Sequence, residues 1–345
     1  MSAVANIAID ESQFPEAVRL DLLESLRLRK INHKFHYDSL KQTQKWLALH
    51  QVYAPSRTDP DCAGVYQQSF AAVARHLAPG SVHLIGLGCG GGQKDTTLLR
   101  LLRNSNRELF YTPSDVSVAM VLVARQAALA VVRESNCFPL VCDLATAQAL
   151  PELLDKVGPG SRSVKGFQPT EVPAVERLFT FFGMMPNFEP EIILPRLASV
   201  MRPGDHLLLS ANLAPGRDYS AGVERVLPLY DNDLTRDWLM MFLLDLGIER
   251  MDGELRFAIE DQSAPVQLKR IAAHFHFIRD RLIEVDSQRF QFSPGESIRL
   301  FFSYRHTPAH VRSLLDQYGL KVFDEWVTPS EEEAVFLVSR PRTSG

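Results

Sequence analysis

Residues 81–92 read SVHLIGLGCGGG, an apolar segment that runs directly into a glycine-rich loop. The stretch that follows, TTLLRLLR at 96–103, places leucines on one side of a helix and polar residues on the other. A strand, a glycine loop and a helix in this order form the first unit of parallel α/β proteins that bind a ligand at the loop. The segment therefore predicts an α/β fold and places a binding site at its glycines.

Further apolar segments follow at intervals that leave room for helices between them. They are LFYTPSD at 109–115, NCFPLVCD at 136–143, RLFTFFGMM at 177–185 and DHLLLSANL at 205–213. Strands that alternate with helices predict a parallel sheet with right-handed crossover connections. A closing strand, EEEAVFLVSR at 331–340, indicates that the chain after Phe301 returns to this sheet. The region before that return is then an insertion with its own helix and strands.

The composition is that of an ordinary soluble globular chain of about two domains. Of 345 residues, 46% are hydrophobic and 23% are charged, and the net charge is −4. A slightly acidic chain is poorly suited to neutralising phosphates, so we expect no nucleic-acid partner. No stretch approaches about 18 uncharged apolar residues, and no basic segment precedes an apolar run at the N-terminus. We therefore expect no membrane span and a cytoplasmic location.

The four cysteines show no paired spacing of the kind that holds a metal ion. We expect reduced thiols and no metal site. The low charge and the lack of coiled-coil heptads are compatible with a monomer or a weak dimer.

The glycine loop fits two cofactor motifs. Gly86, Gly88 and Gly91 satisfy the GxGxxG fingerprint of dinucleotide-binding proteins, which predicts an NAD(P)-dependent oxidoreductase. Gly88, Gly90 and Gly92 satisfy the shorter GxG loop of S-adenosylmethionine (SAM) methyltransferases. Both motifs need glycine because the backbone approaches the cofactor closely. A tight turn that binds no cofactor is a third interpretation.

Polar residues near the ends of the predicted strands are candidate cofactor contacts. Asp115 follows the second strand and can accept hydrogen bonds from ribose hydroxyls. Asp143, with Leu144 beside it, follows the third strand and suits an adenine amino group. Lys94 lies just beyond the glycine loop and can reach a carboxylate such as that of SAM.

Five segments resemble, in the same order, the histidine-specific methyltransferases of ergothioneine biosynthesis, a family that also includes fungal methyltransferases acting on the amino group of prenylated tryptophan. They are GLGCGGGQKDTTLL (86–99), YTPSDVSVAM (111–120), FFGMMPNFEP (181–190), LPLYDND (227–233) and GESIRLFFSYRHT (295–307). The resemblance implies a class I, Rossmann-like SAM-methyltransferase core with a second, discontinuous α+β substrate-binding domain. We assign residues 63–215 and 305–345 to the core, and residues 1–62 and 216–304 to the substrate-binding domain.

The same resemblance implies the residues of the substrate site. Asn187 and Tyr230 correspond to the pair that holds the substrate α-amino group, and we expect them to act in catalysis. Tyr37 corresponds to a tyrosine near the ligand carboxylates. Tyr53 corresponds to one tyrosine of a YYPTR-like motif, whose second tyrosine is Ala54 here.

Two departures from the family bear on the cofactor and on the substrate. The family's acidic residue at the end of the first strand is Gly86 here, which weakens one expected cofactor contact, although Gly86 stays a predicted cofactor-binding residue. On a later strand Ser303 is kept, but the glutamate that reads the imidazole is replaced by Phe301. A buried imidazole N–H without that carboxylate loses a charge-assisted hydrogen bond, at a cost of about 1–3 kcal/mol.

The sequence thus predicts a SAM-dependent N-methyltransferase that releases S-adenosylhomocysteine (SAH). Its predicted substrate is the amino group of an amino acid or an amino-acid-derived natural-product precursor, with an aromatic or apolar side chain rather than imidazole. Three alternatives stay open at this point: L-histidine as the substrate, an NAD(P)-dependent oxidoreductase, and a SAM-binding protein without activity.

Overall fold

The computed structural model describes residues 5–105, 107–159, 175–262 and 266–341. In these residues the α-helices are α1 (Pro15–Leu28), α2 (Leu40–Tyr53), α3 (Pro55–Thr58), α4 (Pro60–His76), α5 (Gln93–Arg103), α6 (Val118–Ala128), α7 (Leu150–Val157), α8 (Pro190–Val200), α9 (Tyr219–Val226), α10 (Asp233–Asp245) and α11 (Pro308–Gln317). The strands are β1 (Ala8–Ile9), β2 (Val82–Leu87), β3 (Leu109–Asp115), β4 (Leu140–Val141), β5 (Glu176–Phe181), β6 (His206–Asn212), β7 (Gly253–Gln262), β8 (Leu268–Phe277), β9 (Arg281–Val285), β10 (Gln288–Phe292), β11 (Ser297–Arg305), β12 (Lys321–Val327) and β13 (Glu333–Ser339).

Eight strands form one large sheet in the order β1-β4-β3-β2-β5-β6-β13-β12. Neighbouring strands are parallel except where β13 pairs with β6 and with β12. The predicted α/β core is confirmed, and β12 and β13 show the predicted return of the C-terminal segment to the sheet. The edge strand β1 was not predicted, because two residues give no periodic signal.

Helices cover both faces of the large sheet, as strands that are apolar on both sides require. All six residues of β2 are buried. On one face, Val82 and Leu84 share a core with apolar side chains of α4, α5 and α6. On the other face, Ile85 and Leu87 share a core with α7, α8 and α11.

A second sheet has three antiparallel strands in the order β11-β8-β7. One face packs against α1 and α10, and the other face adds Phe302 and Tyr304 to a core of the large sheet. The pairing of β11 with β8 shifts between Arg299 and Phe301, which marks a β-bulge. As a result Leu300 and Phe301 both join the core on the α10 side.

The predicted division of the chain at residues 62, 215 and 304 stays a prediction. Helix α4 runs through residue 62, and its Val65 and Phe70 pack on the large sheet. The strand β1 also pairs with β4 of the large sheet, although it lies in the range assigned to the other domain. A boundary at residue 62 would therefore divide a helix.

Candidate functional site

A cavity of about 480 Å³ lies at the carboxyl end of β2, where the strand order of the large sheet reverses. Its volume is within the range of small-molecule sites. The wall is formed by the glycine loop and the first turn of α5, by the ends of β3, β4 and β5, and by side chains of α2 and α4.

The glycine loop closes one side of this cavity. Gly88 has a φ of +65°, and a Cβ on it would lie 2.7 Å from Cγ of Met184. A side chain at this position would therefore be strained and would also collide with a neighbour. Gly90 lies in the wall as well, and its backbone N–H donates a hydrogen bond to Oδ2 of Asp115 at 2.9 Å.

Asp115, at the end of β3, holds the loop in place. Its Oδ1 accepts a second hydrogen bond from the backbone N–H of Ser117 at 3.1 Å. Burial raises the pKa of Asp115 to about 6, against the lowering effect of these backbone donors. Each carboxylate oxygen keeps a further lone pair, so Asp115 can accept hydrogen bonds from ligand hydroxyls. A glycine cradle beside such an acceptor fits the adenosine part of SAM.

The segment after β4 places Leu144 in the wall of the cavity but not Asp143. Oδ1 of Asp143 accepts the backbone N–H of Ala145 at 2.9 Å, and Oδ2 lies 3.7 Å from Nζ of Lys34. The structure thus brings Leu144 to the cavity and turns Asp143 towards the N-terminal segment. An adenine contact by Asp143 stays a prediction.

Lys94 lies in the wall of the cavity, but its ammonium group already has partners within the protein. Its Nζ donates to the phenol oxygen of Tyr66 at 2.6 Å and lies 3.8 Å from Oε1 of Glu333. Burial lowers the pKa of Lys94, while Glu333 opposes that shift. A ligand carboxylate at Lys94 would therefore compete with Glu333.

Gly86 is not part of the wall, because Asp95 lies over it. A Cβ on Gly86 would be 2.2 Å from Oδ2 of Asp95. Asp95 belongs to the first turn of α5, is 3% exposed and lines the cavity. Asp95 was not predicted as a site residue, because an acid in the first turn of a helix is ordinarily explained by the helix dipole. The sequence did contain a signal: Gly86 stands where the family has an acidic residue, and Asp95 follows shortly after the glycine loop.

Asn187 lies in the wall of the same cavity, as do Met184 and Phe188. It ends a short 3-10 turn after β5, and its Nδ2 lies 3.5 Å from the carbonyl oxygen of Gly183. In this orientation the amide nitrogen faces a backbone carbonyl, and Oδ1 is able to accept a hydrogen bond from a ligand.

Tyr37 connects the cavity with the core beneath the second sheet. Its ring centroid lies 5.9 Å from that of Trp46, which also lines the cavity, and 5.6 Å from that of Trp238. Burial raises the pKa of Tyr37, and the charge of Asp115 adds to this shift. The phenol is therefore protonated at neutral pH and can donate a hydrogen bond.

Three other predicted substrate residues form a cluster beside the cavity rather than part of its wall. The hydroxyl of Tyr230 donates to Oγ of Ser303 at 2.9 Å and accepts from Nη2 of Arg305 at 2.8 Å. The ring of Phe301 lies 6.1 Å from that of Tyr230 and 5.9 Å from that of Trp238. Trp238 also contacts the ring of Tyr37, which lines the cavity, so aromatic contacts connect this cluster with the cavity wall.

Tyr53 lies apart from both groups of residues. It ends α2, is 49% exposed and does not line the cavity. Its assignment to the substrate site stays a prediction. Trp46 and Arg305 were not predicted from the sequence, because neither spacing nor hydrophobicity distinguishes them from residues with a structural role.

Within the described ranges, no group of three or more His, Cys, Asp and Glu side chains is arranged to hold a metal ion. In the same part of the chain, no helix combines the length and the apolar character needed to cross a membrane.

Comparison with known proteins finds a family and individual proteins that are similar to most of this chain. The model of a family described as "Histidine-specific methyltransferase, SAM-dependent" matches residues 18–340. The N-methyltransferase imqF of Aspergillus flavus is 26% identical over 282 residues, which are 79% of this chain and 71% of that protein. Magnesium protoporphyrin IX methyltransferase from Synechocystis PCC 6803, solved with bound SAH, is 14% identical with a TM-score of 0.46, over 89% of this chain and 97% of that one. A SAM-dependent methyltransferase from Clostridium acetobutylicum is 14% identical with a TM-score of 0.42, over 87% and 99%.

The contact between Gly86 and Asp95 predicts a specific effect on stability. Gly86→Ala is expected to lower the free energy of unfolding by about 1–3 kcal/mol, because the added Cβ overpacks against the Asp95 carboxylate. In an Asp95→Ala background the same substitution should cost much less. Urea unfolding of the four proteins measures this coupling as a double-mutant cycle.

The matched control is Gly64→Ala on α4, where an added Cβ meets nothing within 4 Å. Alanine is the better helix former, so this variant should be neutral or slightly more stable. Strictly additive costs for Gly86→Ala and Asp95→Ala would show that the two positions are not in contact.

Proposed function

The chain belongs to the family of histidine-specific, SAM-dependent methyltransferases, and we propose that it methylates the amino group of an amino acid, or of an amino-acid-derived precursor, whose side chain is aromatic or apolar. The proposal rests on one observation: Asn187, the glycine loop and Asp115 all line the same cavity. A hydrogen-bond acceptor for an amine thus lies beside the elements that suit the cofactor.

The cofactor of this family is SAM. When bound, it supplies an electrophilic methyl group on a sulfonium sulfur. In this chain we assign its binding to the backbone of Gly88 and Gly90, to the carboxylate of Asp115 and to the apolar side chain of Leu144. These residues would hold the ligand between the loop and the ends of β3 and β4, where Asp115 and Leu144 are buried.

The acceptor nitrogen needs a neutral lone pair that is aligned with the methyl group. An N–H of the amine can be held by Oδ1 of Asn187, which fixes the direction of the lone pair. The phenol oxygen of Tyr230 donates once and accepts once within the protein, so one lone pair remains for a further N–H. Tyr230 thereby orients the amine, and it can accept the amine proton only while it passes its own proton towards Ser303.

Arg305 positions Tyr230 for this task. Its guanidinium is buried, donates to Tyr230 and is anchored through Nη1 on the carbonyl oxygen of Leu213 at 3.0 Å. Because arginine can only donate, the proton of Tyr230 must point to Ser303.

The side-chain preference rests on Phe301 and on the cavity wall. Phe301 is 7% exposed, and its ring contacts the rings of His33, Tyr230 and Trp238. An imidazole N–H placed there would find an apolar ring where a carboxylate is needed, at a cost of about 1–3 kcal/mol. Trp46, in the wall of the cavity, adds a surface suited to an aromatic acceptor.

Histidine is the second candidate, because Ser303 retains a hydroxyl that can accept an imidazole N–H. The test is a mass-spectrometric methyl-transfer assay with purified protein, SAM and a pool that contains histidine, tryptophan and modified aromatic amino acids. A methylated aromatic amine supports the proposal. Methylated histidine as the main product contradicts the side-chain preference. SAH binding without any product from the pool would favour the alternative of a SAM-binding protein without activity.

Removing the amide of Asn187 should separate catalysis from cofactor binding. For Asn187→Ala we expect kcat/KM to fall about 100-fold or more, since a positioned acceptor in the reacting geometry is lost. SAH affinity, measured by calorimetry, should change less than about twofold. Asn104→Ala, at an exposed position after α5, is the control and should retain full activity. Unchanged turnover in Asn187→Ala would refute the amine-binding role.

Restoring a carboxylate at position 301 should move the substrate preference. Phe301→Glu is expected to raise the ratio of histidine turnover to aromatic turnover about tenfold, which corresponds to about 1.4 kcal/mol. Phe301→Gln has the same shape without the charge and should shift the ratio less. Thermal unfolding of both variants checks that the buried site tolerates a polar group. A ratio equal to that of the wild type in both variants would show that position 301 does not select the side chain.

A further inference from the structure

Asp95 presents a buried carboxylate to the cofactor cavity. It stands in the first turn of α5, directly after the glycine loop, and is 3% exposed. Its carboxylate fills the space over Gly86, where any side chain would collide with it. The acid that the family carries at the end of the first strand is missing from β2, and an acid from the next helix occupies the space beside that position.

The carboxylate is held by neutral hydroxyls from both sides of β2. Oδ2 accepts from the phenol of Tyr111 on β3 at 2.8 Å, and Oδ1 accepts from Thr180 on β5 at 2.7 Å. Two accepted hydrogen bonds leave lone pairs on both oxygens. The geometry is that of a fixed acceptor with capacity for a further donor from the cavity.

Among the residues that the structure describes, no Lys, Arg or His nitrogen lies within ion-pair distance of the Asp95 carboxylate. The nearby Lys94 donates to Tyr66 and pairs with Glu333, so its charge is already matched. Burial raises the pKa of Asp95, while Thr180, Tyr111 and Lys94 lower it. A buried carboxylate in this setting gains most from a ligand that brings a positive charge with N–H donors.

We propose that Asp95 binds the α-ammonium group of the methionine part of SAM, and that residue 86 is glycine because this carboxylate occupies the space over its Cα. The inference rests on the SAM dependence of the proposed function, but not on the identity of the methyl acceptor. SAH keeps the ammonium group, so Asp95 binds the product in the same way. The carboxylate of the same ligand would be repelled by Asp95 and must lie away from it.

The test is a thermodynamic cycle that combines removal of the Asp95 charge with removal of the α-ammonium group of the ligand. Calorimetry measures the affinities of wild type and Asp95→Asn for SAH and for desamino-SAH, which lacks only the α-ammonium group. Asn keeps the shape and can still bond to the hydroxyls of Tyr111 and Thr180, so the variant removes mainly the charge. We expect Asp95→Asn to weaken SAH binding about 10- to 100-fold, the range of a lost charge-assisted hydrogen bond. Its effect on desamino-SAH should be less than about twofold.

Two results would overturn the proposal. Equal losses for the two ligands would show a structural role, in which Asp95 only ties α5 to β3 and β5. No loss for either ligand would show that the carboxylate does not reach the cofactor. Tyr111→Phe is the matched control, because it removes a structural hydrogen bond but keeps the charge. It should lower the melting temperature while the ratio of the two affinities stays at the wild-type value.

The wild type alone provides a second measurement that does not depend on the folding of a variant. Desamino-SAH should bind to it about 10- to 100-fold more weakly than SAH. Equal affinities would contradict the ammonium site. Failure of SAH to bind to the wild type would instead contradict the SAM dependence, and with it the proposed function. A failure of the methyl-acceptor assignment leaves all of these binding measurements intact.

Discussion

The hydrogen bond from the Gly90 N–H to the Asp115 carboxylate fixes the loop on which both sides of the site depend. It joins the segment after β2 to the end of β3, so the loop cannot move without the strand. The loop in turn places Gly88 against Met184, where only a residue without a side chain fits. The carbonyl of Met184 then accepts the backbone N–H of Asn187 at 3.0 Å. One short path of contacts therefore sets the distance between the cofactor loop and the proposed amine acceptor.

A second connection runs from the same turn to the three-stranded sheet. Glu189 follows Asn187 closely, and its carboxylate accepts from Nη1 of Arg270 at 2.9 Å and from the hydroxyl of Tyr304. A partly buried ion pair of this kind is costly to break by removing one partner, so it restrains the turn. Tyr304 lies on β11, whose other face carries Ser303. The strand thus anchors the turn that contains Asn187, and it also carries Phe301 and Ser303 of the side-chain cluster.

The parts of this fold that follow from local pattern were predictable from the sequence, and those that depend on distant partners were not. The buried strand ending at Leu87 and the loop after it are a continuous apolar run and a cluster of glycines. By contrast, Asp115 and Asp143 follow successive strands in the same way, yet only Asp115 faces the cavity. The backbone N–H of Asp143 donates to Oγ of Ser12 at 3.0 Å, and its carboxylate faces Lys34. The sequence around Asp143 does not indicate a contact with either Ser12 or Lys34.

Dependence on distant partners also explains why the surroundings of Phe301 could not be predicted from the sequence. The bulge between Arg299 and Phe301 decides which core Phe301 joins, and strict alternation along β11 would have placed it on the opposite face from Leu300. The resemblance to the family predicts that position 301 contacts the substrate, but its neighbours Trp238 and His33 come from α10 and from the segment after α1. The surroundings of Phe301 are therefore set by packing between distant segments rather than by the motif.

The electrostatic balance of the cavity separates the two cofactor motifs that the glycine loop satisfies. The charged side chains that the described residues place in the wall are Arg57, Lys94, Asp95 and Asp115. Glu333 pairs with Lys94 directly behind the wall, so the group as a whole carries one negative charge. A dinucleotide would add a pyrophosphate with two further negative charges and would be repelled at close range. SAM contains a sulfonium, an ammonium group and one carboxylate, so it has a net charge of about +1. This positive charge complements the negative charge of the cavity. The match with the methyltransferase family and the charge of the wall thus lead independently to the same cofactor.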